Sequence, residues 1–283
     1  MPERAEIAIM TDCLNAKLNG KLCKQIVIMS KYTSGYENGL YSSSKLNYIQ
    51  GDGYKFLEVN TNLTRVTSRG KKIIFHFDKE RYEPFRFVSA CGLNGHWSWT
   101  QSDYTAIVLV FEGIMAFYEE NGIGGNFSVC LYPSPEYEHI FKDVGPDLMT
   151  DEVTPQIYYD IIKRKRISHM KISKFMMEQK YMSSIGNYLR AEILYKCRIS
   201  PHRQLSSLTD IDIYNLYQFS KLTIFETYKC NGLTIQSYVD PNGLIGTYSC
   251  LCYGRQTDSE GNEIITENDK QDRQIHWCPN IQK

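Results

Sequence analysis

The sequence predicts an α+β protein: an N-terminal helix and a strand-rich domain, then a helical domain with a β appendage. Three patterns carry that prediction. Ile7, Met10, Leu14 and Leu18 recur at helical spacing, and Gly20 closes the segment. From Leu22 to about Phe141, short runs rich in Ile, Val, Phe and Tyr alternate with clusters of Gly, Asn, Asp and Ser. From Gln156 to about Lys229 the period becomes helical. A length of 283 residues fits two domains at roughly 100–200 residues each.

The first helix carries Pro2, Glu3 and Glu6 at its head. Strands are expected at Gln25-Ile26-Val27-Ile28-Met29, Lys72-Ile73-Ile74-Phe75-His76-Phe77 and Ala106-Ile107-Val108-Leu109-Val110-Phe111, in an antiparallel sandwich or barrel. The stretch from Gly145-Pro146-Asp147 to Thr154-Pro155 is polar and turn-rich, so 1–144 reads as the first domain and 145–156 as a linker. Helical spacing then recurs at Ile157 and Ile161, Ile172 to Met176, Tyr188 to Leu194 and Ile211 to Phe219, in a domain spanning 157–240. Beyond Cys230 the texture turns strand-like and Gly-rich again. In the last segment, 241–283, Glu263-Ile264-Ile265 is expected to pair with Gln274 to Trp277 as a hairpin.

With 42% hydrophobic and 23% charged residues, a disordered or fibrous chain is excluded. Thirty-two basic residues balance 32 acidic ones, which argues against a uniformly basic nucleic-acid binder. The distribution is uneven, however. From Ile161 to Arg203, eleven Lys and Arg face only Glu178 and Glu192, a net +9, so the rest of the chain carries −9. That is a nucleic-acid signal in one helical segment, set against acidic surfaces elsewhere. The first residues carry no basic leader, and the most apolar run, Tyr104 to Tyr118, is interrupted by Glu112 and too short for a bilayer. Nine scattered cysteines fit reduced thiols better than a disulfide framework. An intracellular protein without a membrane partner is expected.

Three places could carry chemistry. If Met1 is excised, Pro2 gains a free secondary amine, and an α-amino group titrates near 7.7–8 rather than about 10.4 for lysine. Such an amine attacks an aldehyde-like carbon to give a cationic iminium, an electron sink, and Glu3 and Glu6 stand close enough to move protons. The same residues also suit a plain helix start, with acids at its positive end. Next, Gly186-Asn187 forms a turn before a helix, offering N–H groups and an amide to a phosphate within the basic segment. Last, Cys278-Pro279 resembles half of a zinc ribbon, but Ile281 stands where the second cysteine belongs, and no metal ligand set is expected.

Taken together, these features resemble the formamidopyrimidine-DNA glycosylase / endonuclease VIII (Fpg/Nei) family. The resemblance rests on Met1-Pro2-Glu3 with Glu6, Arg69-Gly70-Lys71 entering a strand, Leu93-Asn94-Gly95-His96-Trp97, and His139 through Gly145-Pro146. It continues in Ile185-Gly186-Asn187-Tyr188-Leu189-Arg190-Ala191-Glu192, Tyr253-Gly254-Arg255, and Arg273 ahead of Trp277-Cys278-Pro279. The landmarks stand in the family's order and span nearly the whole chain.

The resemblance implies a helix plus a two-layer antiparallel β-sandwich, a helix-two-turn-helix domain, and a C-terminal β-hairpin acting as a zincless finger. It implies a bifunctional DNA glycosylase/AP lyase of base-excision repair, acting by β,δ-elimination, with Pro2 as Schiff-base nucleophile and Glu3 as general acid/base. Lys71 would reach a phosphate or assist elimination. Asn187, with Gly186, would hold a phosphate beside the lesion, and Arg273 would grip the backbone and support δ-elimination. Leu93 would fill the gap left by the flipped nucleotide, and Glu6 and Glu192 would support the site. Asp240 to Gly246 would be a mobile loop closing over the base. The stretch Asn121 to Phe127 lacks the arginines of the oxoguanine-preferring branch, and Gly186-Asn187-Tyr188-Leu189-Arg190 is closer to the endonuclease VIII side. Oxidised pyrimidines, and hydantoins with them, are therefore the expected substrates. An 8-oxoguanine/formamidopyrimidine enzyme and a non-catalytic damaged-DNA-binding protein are the alternatives. No cofactor is expected; the partner is damaged DNA with a flipped oxidised base, bound by a monomer in a DNA-containing compartment.

Overall fold

The computed structural model describes residues 2–29, 41–43, 49–51, 54–78, 83–120, 125–150, 152–234, 239–269 and 273–283. Met1 and residues 121–124, on which two of the expectations above fall, lie outside them. The chain divides into two compact units, Met1–Lys142 with Thr234–Gly246, and Asp143–Leu233 with Thr247–Lys283.

The first unit opens with α1 (Arg4–Leu18), whose periodic residues Ile7, Met10, Leu14 and Leu18 are all buried. Among the described residues, eleven strands follow: β1 (Leu22–Met29), β2 (Tyr41–Ser43), β3 (Ile49–Gly51), β4 (Tyr54–Asn62), β5 (Arg65–Arg69), β6 (Lys72–Phe77), β7 (Phe85–Ala90), β8 (His96–Ser98), β9 (Thr105–Phe111), β10 (Ile114–Glu119) and β11 (Asn126–Leu131). They form one sheet in the order β3-β4-β1-β9-β10-β8 and a second in the order β2-β11-β7-β6-β5. Every pair is antiparallel except β2 with β11, which run parallel. Between the sheets lie Ile26, Ile73, Phe75, Phe87, Trp97, Leu109, Tyr118 and Phe127, with the apolar face of α1 in the same core. The central strands β6, β7 and β9 are buried at consecutive positions, so both of their faces are covered.

A short helix, α2 (Pro135–Phe141), replaces the strand texture expected up to Phe141. Its signal is local: Pro135 stands at the first turn and Ser134 Oγ accepts from Tyr137 N at 3.1 Å.

The second unit holds α3 (Pro155–Ile162), α4 (Ile172–Met177), α5 (Asn187–Cys197) and α6 (Asp210–Lys229), then the hairpin β12 (Ile265–Asn268) and β13 (Gln274–Trp277). Tyr158, Ile161, Phe175, Met176, Leu189, Ile193, Leu216 and Ile224 form its core. The hairpin pairs Ile265 with Trp277 and Asn268 with Gln274, so its first strand begins where the expected one, Glu263 to Ile265, was to end. The reason is the turn before it. Asp258 Oδ1 accepts from Glu260 N and Asn262 N, its Oδ2 accepts from Tyr195 Oη, and Glu263 bridges back to Thr257. That stretch is already paired. Among the described residues, no three His, Cys, Asp or Glu side chains converge as a metal site, and no helix is long and apolar enough to cross a membrane.

Candidate functional site

In the first unit, sheet register gathers the predicted residues at one end of the sandwich. Arg69 pairs with Lys72 across the Gly70-Lys71 turn, Lys72 pairs with Ala90, and Ala90 pairs with Asn126. The Lys71 turn and the loop 91–95 that carries Leu93 therefore leave the second sheet side by side. Arg4 Nη1 donates to Ser68 Oγ at 3.1 Å, which ties the head of α1 to the strand just before that turn.

Pro2 is buried at that head, and Glu3 is the N-cap of α1. The two glutamates make a capping box: Glu3 N donates to Glu6 Oε2 at 3.0 Å, and the Glu3 carboxyl accepts from the backbone of Glu6. Each is only 2% exposed. Glu6 thus supports Glu3 through the backbone, and the plain helix-start reading and the chemical one describe the same geometry. Lys71 is half-buried in its turn. Lys72 is also half-buried, and desolvation lowers its pKa. Leu93 is 50% exposed, an apolar tip on a short loop.

The loop from Asp240 onward belongs to this unit and is tied to it by hydrogen bonds. Asp240 Oδ1 accepts from Asn242 N at 2.8 Å and Leu244 N at 2.9 Å, a side chain substituting for turn bonds. Trp99 Nε1 donates to Asn242 Oδ1 at 3.1 Å, and Asn242 Nδ2 donates to Cys13 Sγ. Leu244 and Ile245 remain exposed.

In the second unit, α5 begins at Asn187 with Gly186 as N-cap, as the turn motif implies. Arg190 is 1% exposed, and its Nη2 donates to Asn187 Oδ1 at 2.6 Å and to Gln274 O at 2.8 Å. Its Nη1 lies 3.8 Å from Asp269 Oδ2. Asp269 in turn accepts from Arg273 N at 3.1 Å, while Arg273 itself is exposed. One guanidinium thus joins the Asn187 turn to the hairpin that carries Arg273. Residue counting missed it, because Arg190 was grouped with the basic surface.

Glu192 is fully buried and grips the chain ahead of the hairpin. Its Oε2 accepts from Leu251 N at 2.7 Å and Tyr248 Oη at 3.3 Å; its Oε1 accepts from Cys252 N and Tyr253 N, each at 2.9 Å. Consecutive N–H groups converging on a carboxylate form an anion nest. The basic segment is likewise less open than its tally. Arg190, Lys196 and Arg203 pair with Asp269, Glu226 and Asp212, and Lys163 lies near Asp210. Arg164, Lys165, Arg166, Lys171, Lys174 and Arg198 remain exposed.

Residues 144–238 match the family model described as the formamidopyrimidine-DNA glycosylase H2TH domain. A formamidopyrimidine-DNA glycosylase of Bacillus cereus is 29% identical, with 99% of this chain and 98% of that one covered. Endonuclease 8 of Pectobacterium carotovorum is 22% identical over the full length of both. Over nearly its whole length the chain is similar to members of the Fpg/Nei family. The crystal structure of the MutM (Fpg) protein from Thermus thermophilus shares the fold, with a TM-score of 0.82 at 20% identity over 99% of this chain and 98% of that one. Within the matched H2TH domain lies the turn that α5 and Arg190 complete, and the β12–β13 hairpin follows it.

Proposed function

We propose that this chain excises oxidised bases, oxidised pyrimidines foremost, through an iminium formed on Pro2. Like those relatives it is a DNA glycosylase and AP lyase of base-excision repair. The observation that carries the finer reading is the convergence of the Pro2-Glu3 head of α1, the Lys71 turn and the Leu93 loop at one end of the sandwich.

The Pro2 nitrogen attacks C1′ of the flipped nucleotide, and the bond to the base breaks as the base takes up a proton. Glu3 serves as the acid/base for base release and ring opening, held in place by Glu6. The resulting iminium acidifies C2′; loss of that proton expels the 3′ phosphate, and a second elimination expels the 5′ phosphate. Lys71 approaches a phosphate or assists elimination. Asn187, at the positive end of α5, holds a backbone phosphate, and Arg273 grips the backbone and supports the second elimination.

The Gly186-Asn187-Tyr188-Leu189-Arg190 motif favours oxidised pyrimidines. An 8-oxoguanine or formamidopyrimidine substrate is favoured instead by the higher identity to the Bacillus cereus enzyme. Borohydride trapping on duplexes carrying thymine glycol or 8-oxoguanine tests both. The wild type should become covalently attached to DNA and Pro2→Gly should not; equal trapping of the two, or none, sinks the mechanism. Stronger trapping on 8-oxoguanine would decide for the second substrate. A protein that retains Met1 and binds lesions without trapping would be a recognition module.

A further inference from the structure

A two-stranded hairpin with four residues in each strand is marginal in water by itself, so β12–β13 depends on what packs against its faces. Alternation along the strands puts His276 on one face, and Ile275, Trp277 and their neighbour Glu267 on the other. The first face rests on Tyr253, whose ring centroid lies 4.7 Å from that of His276 and whose N–H Glu192 holds. The second meets His202, in the loop between α5 and α6, a residue that the mechanism above does not use. The His202 and Trp277 rings meet edge to face with centroids 5.1 Å apart, and His202 Nε2 lies 2.5 Å from Glu267 Oε1.

Both partners are placed for this contact. Ile265, Thr266 and Asn268 of β12 are exposed, whereas Glu267 is drawn in. Its Oε1 is sealed from solvent, and among the described residues no other group donates to it. Lys171 Nζ, which can only donate, stands 3.4 Å from His202 Nδ1; that nitrogen therefore accepts, and a ring hydrogen falls on Nε2, facing the carboxylate. The loop beneath is fixed by backbone bonds, from Ile172 N to Arg203 O at 2.8 Å, Ser173 N to Pro201 O at 3.2 Å and Ser200 N to Lys283 O at 3.0 Å.

We propose that His202 is a positioning residue that holds this face of the hairpin and so fixes the reach of Arg273 during the second elimination. This rests on the role given to Arg273 above. Every step from His202 to Arg273 is bonded. Glu267 pairs with Ile275 and Asn268 with Gln274; then Asp269 N donates to Arg273 O at 2.9 Å, and Arg273 N donates to Asp269 Oδ1 at 3.1 Å. Arg190 holds the same ribbon at Gln274 O and Asp269, near its Arg273 end. A single attachment leaves a ribbon free to pivot. His202 supplies the second, at Glu267 and Trp277, and removes the pivot. The iminium on Pro2 and the first elimination need nothing from Arg273, so loosening this attachment should slow the second elimination alone.

The test compares the full-length wild type with His202→Ala, His202→Gln, Glu267→Ala, the His202→Ala/Glu267→Ala double variant and Arg273→Ala. The substrate is duplex DNA with a preformed abasic site, so base release plays no part. Single-turnover time courses separate the two eliminations, borohydride trapping counts the iminium, and melting curves confirm that each variant is folded. His202→Ala and Glu267→Ala should each slow the second elimination about fivefold, with the first elimination and trapping within about twofold of wild type. The double variant should lose no more than the worse single one, because both break the same contact. His202→Gln keeps a donor for Glu267 and should recover most of the rate. An unchanged second elimination, equal slowing of both steps, additive losses, or no recovery in His202→Gln would overturn the proposal. Failure of the underlying reading looks different. If Arg273→Ala keeps the second elimination, Arg273 loses its role and His202 with it; if the wild type does not trap, the glycosylase reading itself fails.

Discussion

Replacing Glu192 with glutamine changes one atom and removes a charge from the floor of the second unit. The carboxylate accepts three backbone N–H groups, from Leu251, Cys252 and Tyr253, and the Tyr248 hydroxyl. A glutamine has a single acceptor oxygen. Turned toward Cys252 and Tyr253, it sets its own NH2 against the N–H of Leu251; Tyr248 can rotate and accept. One buried donor is then unsatisfied, which costs about 1–3 kcal/mol. Taking about 2 kcal/mol, and roughly 2–4 °C for each kcal/mol in a chain of this size, Tm should fall by about 4–8 °C. Calorimetry measures that fall. Hydrogen exchange localises it: the amides of residues 251–253 should exchange on the order of thirtyfold faster, the same energy expressed as an opening equilibrium. An unchanged Tm together with unchanged exchange at those amides would refute the assignment of Glu192 as the anchor of this segment.

Two more outcomes are expected. Burial, followed by the Arg86 and Arg65 charges, depresses the pKa of His76 to about 4. The unfolded chain, whose histidine titrates in the ordinary range, then binds more protons, so stability is full above that range and declines as pH falls toward about 4. Melting curves across that window should flatten in His76→Phe, and identical slopes would contradict it. In the second unit, Arg190→Lys keeps the charge but loses the fork that bonds Asn187 and Gln274 together. Fluorescence anisotropy on a damaged duplex should show affinity about tenfold weaker, and wild-type affinity would show that the turn and hairpin need no such bridge.

The elements that repeat a local pattern were readable from residues alone. Ile7, Met10, Leu14 and Leu18 announce α1, and Lys72 to Phe77 announces β6, because each needs only its own periodicity. What was not readable depends on partners distant in sequence. Arg190 and Lys196 look like surface charge in a linear tally, yet their carboxylate partners arrive from Asp269 and Glu226. The Asp240 loop looks mobile from its glycines, but Trp99 and Cys13, far upstream, bond to it. The displaced hairpin has the same origin, since Asp258 claims the preceding turn through Tyr195. By contrast, α2 was legible and overlooked: Ser134-Pro135 followed by Glu136 is a helix start.

The two buried charges of α5 also set an order of assembly. Besides the bond from Arg190 to Asn187, Arg190 and Glu192 bond to residues 248–274, which a ribosome delivers well after the helix itself. Until those residues emerge, closing the core over α5 would strand a guanidinium and a carboxylate away from water, so the helix cannot settle early. In the first unit, by contrast, the buried acids at the head of α1 cap each other three residues apart. Domains generally mature as the nascent chain lengthens. Here α5 and the Gly186-Asn187 turn are expected to settle only once residues 248–274 clear the exit tunnel, so removing that segment should loosen the turn as well as the hairpin.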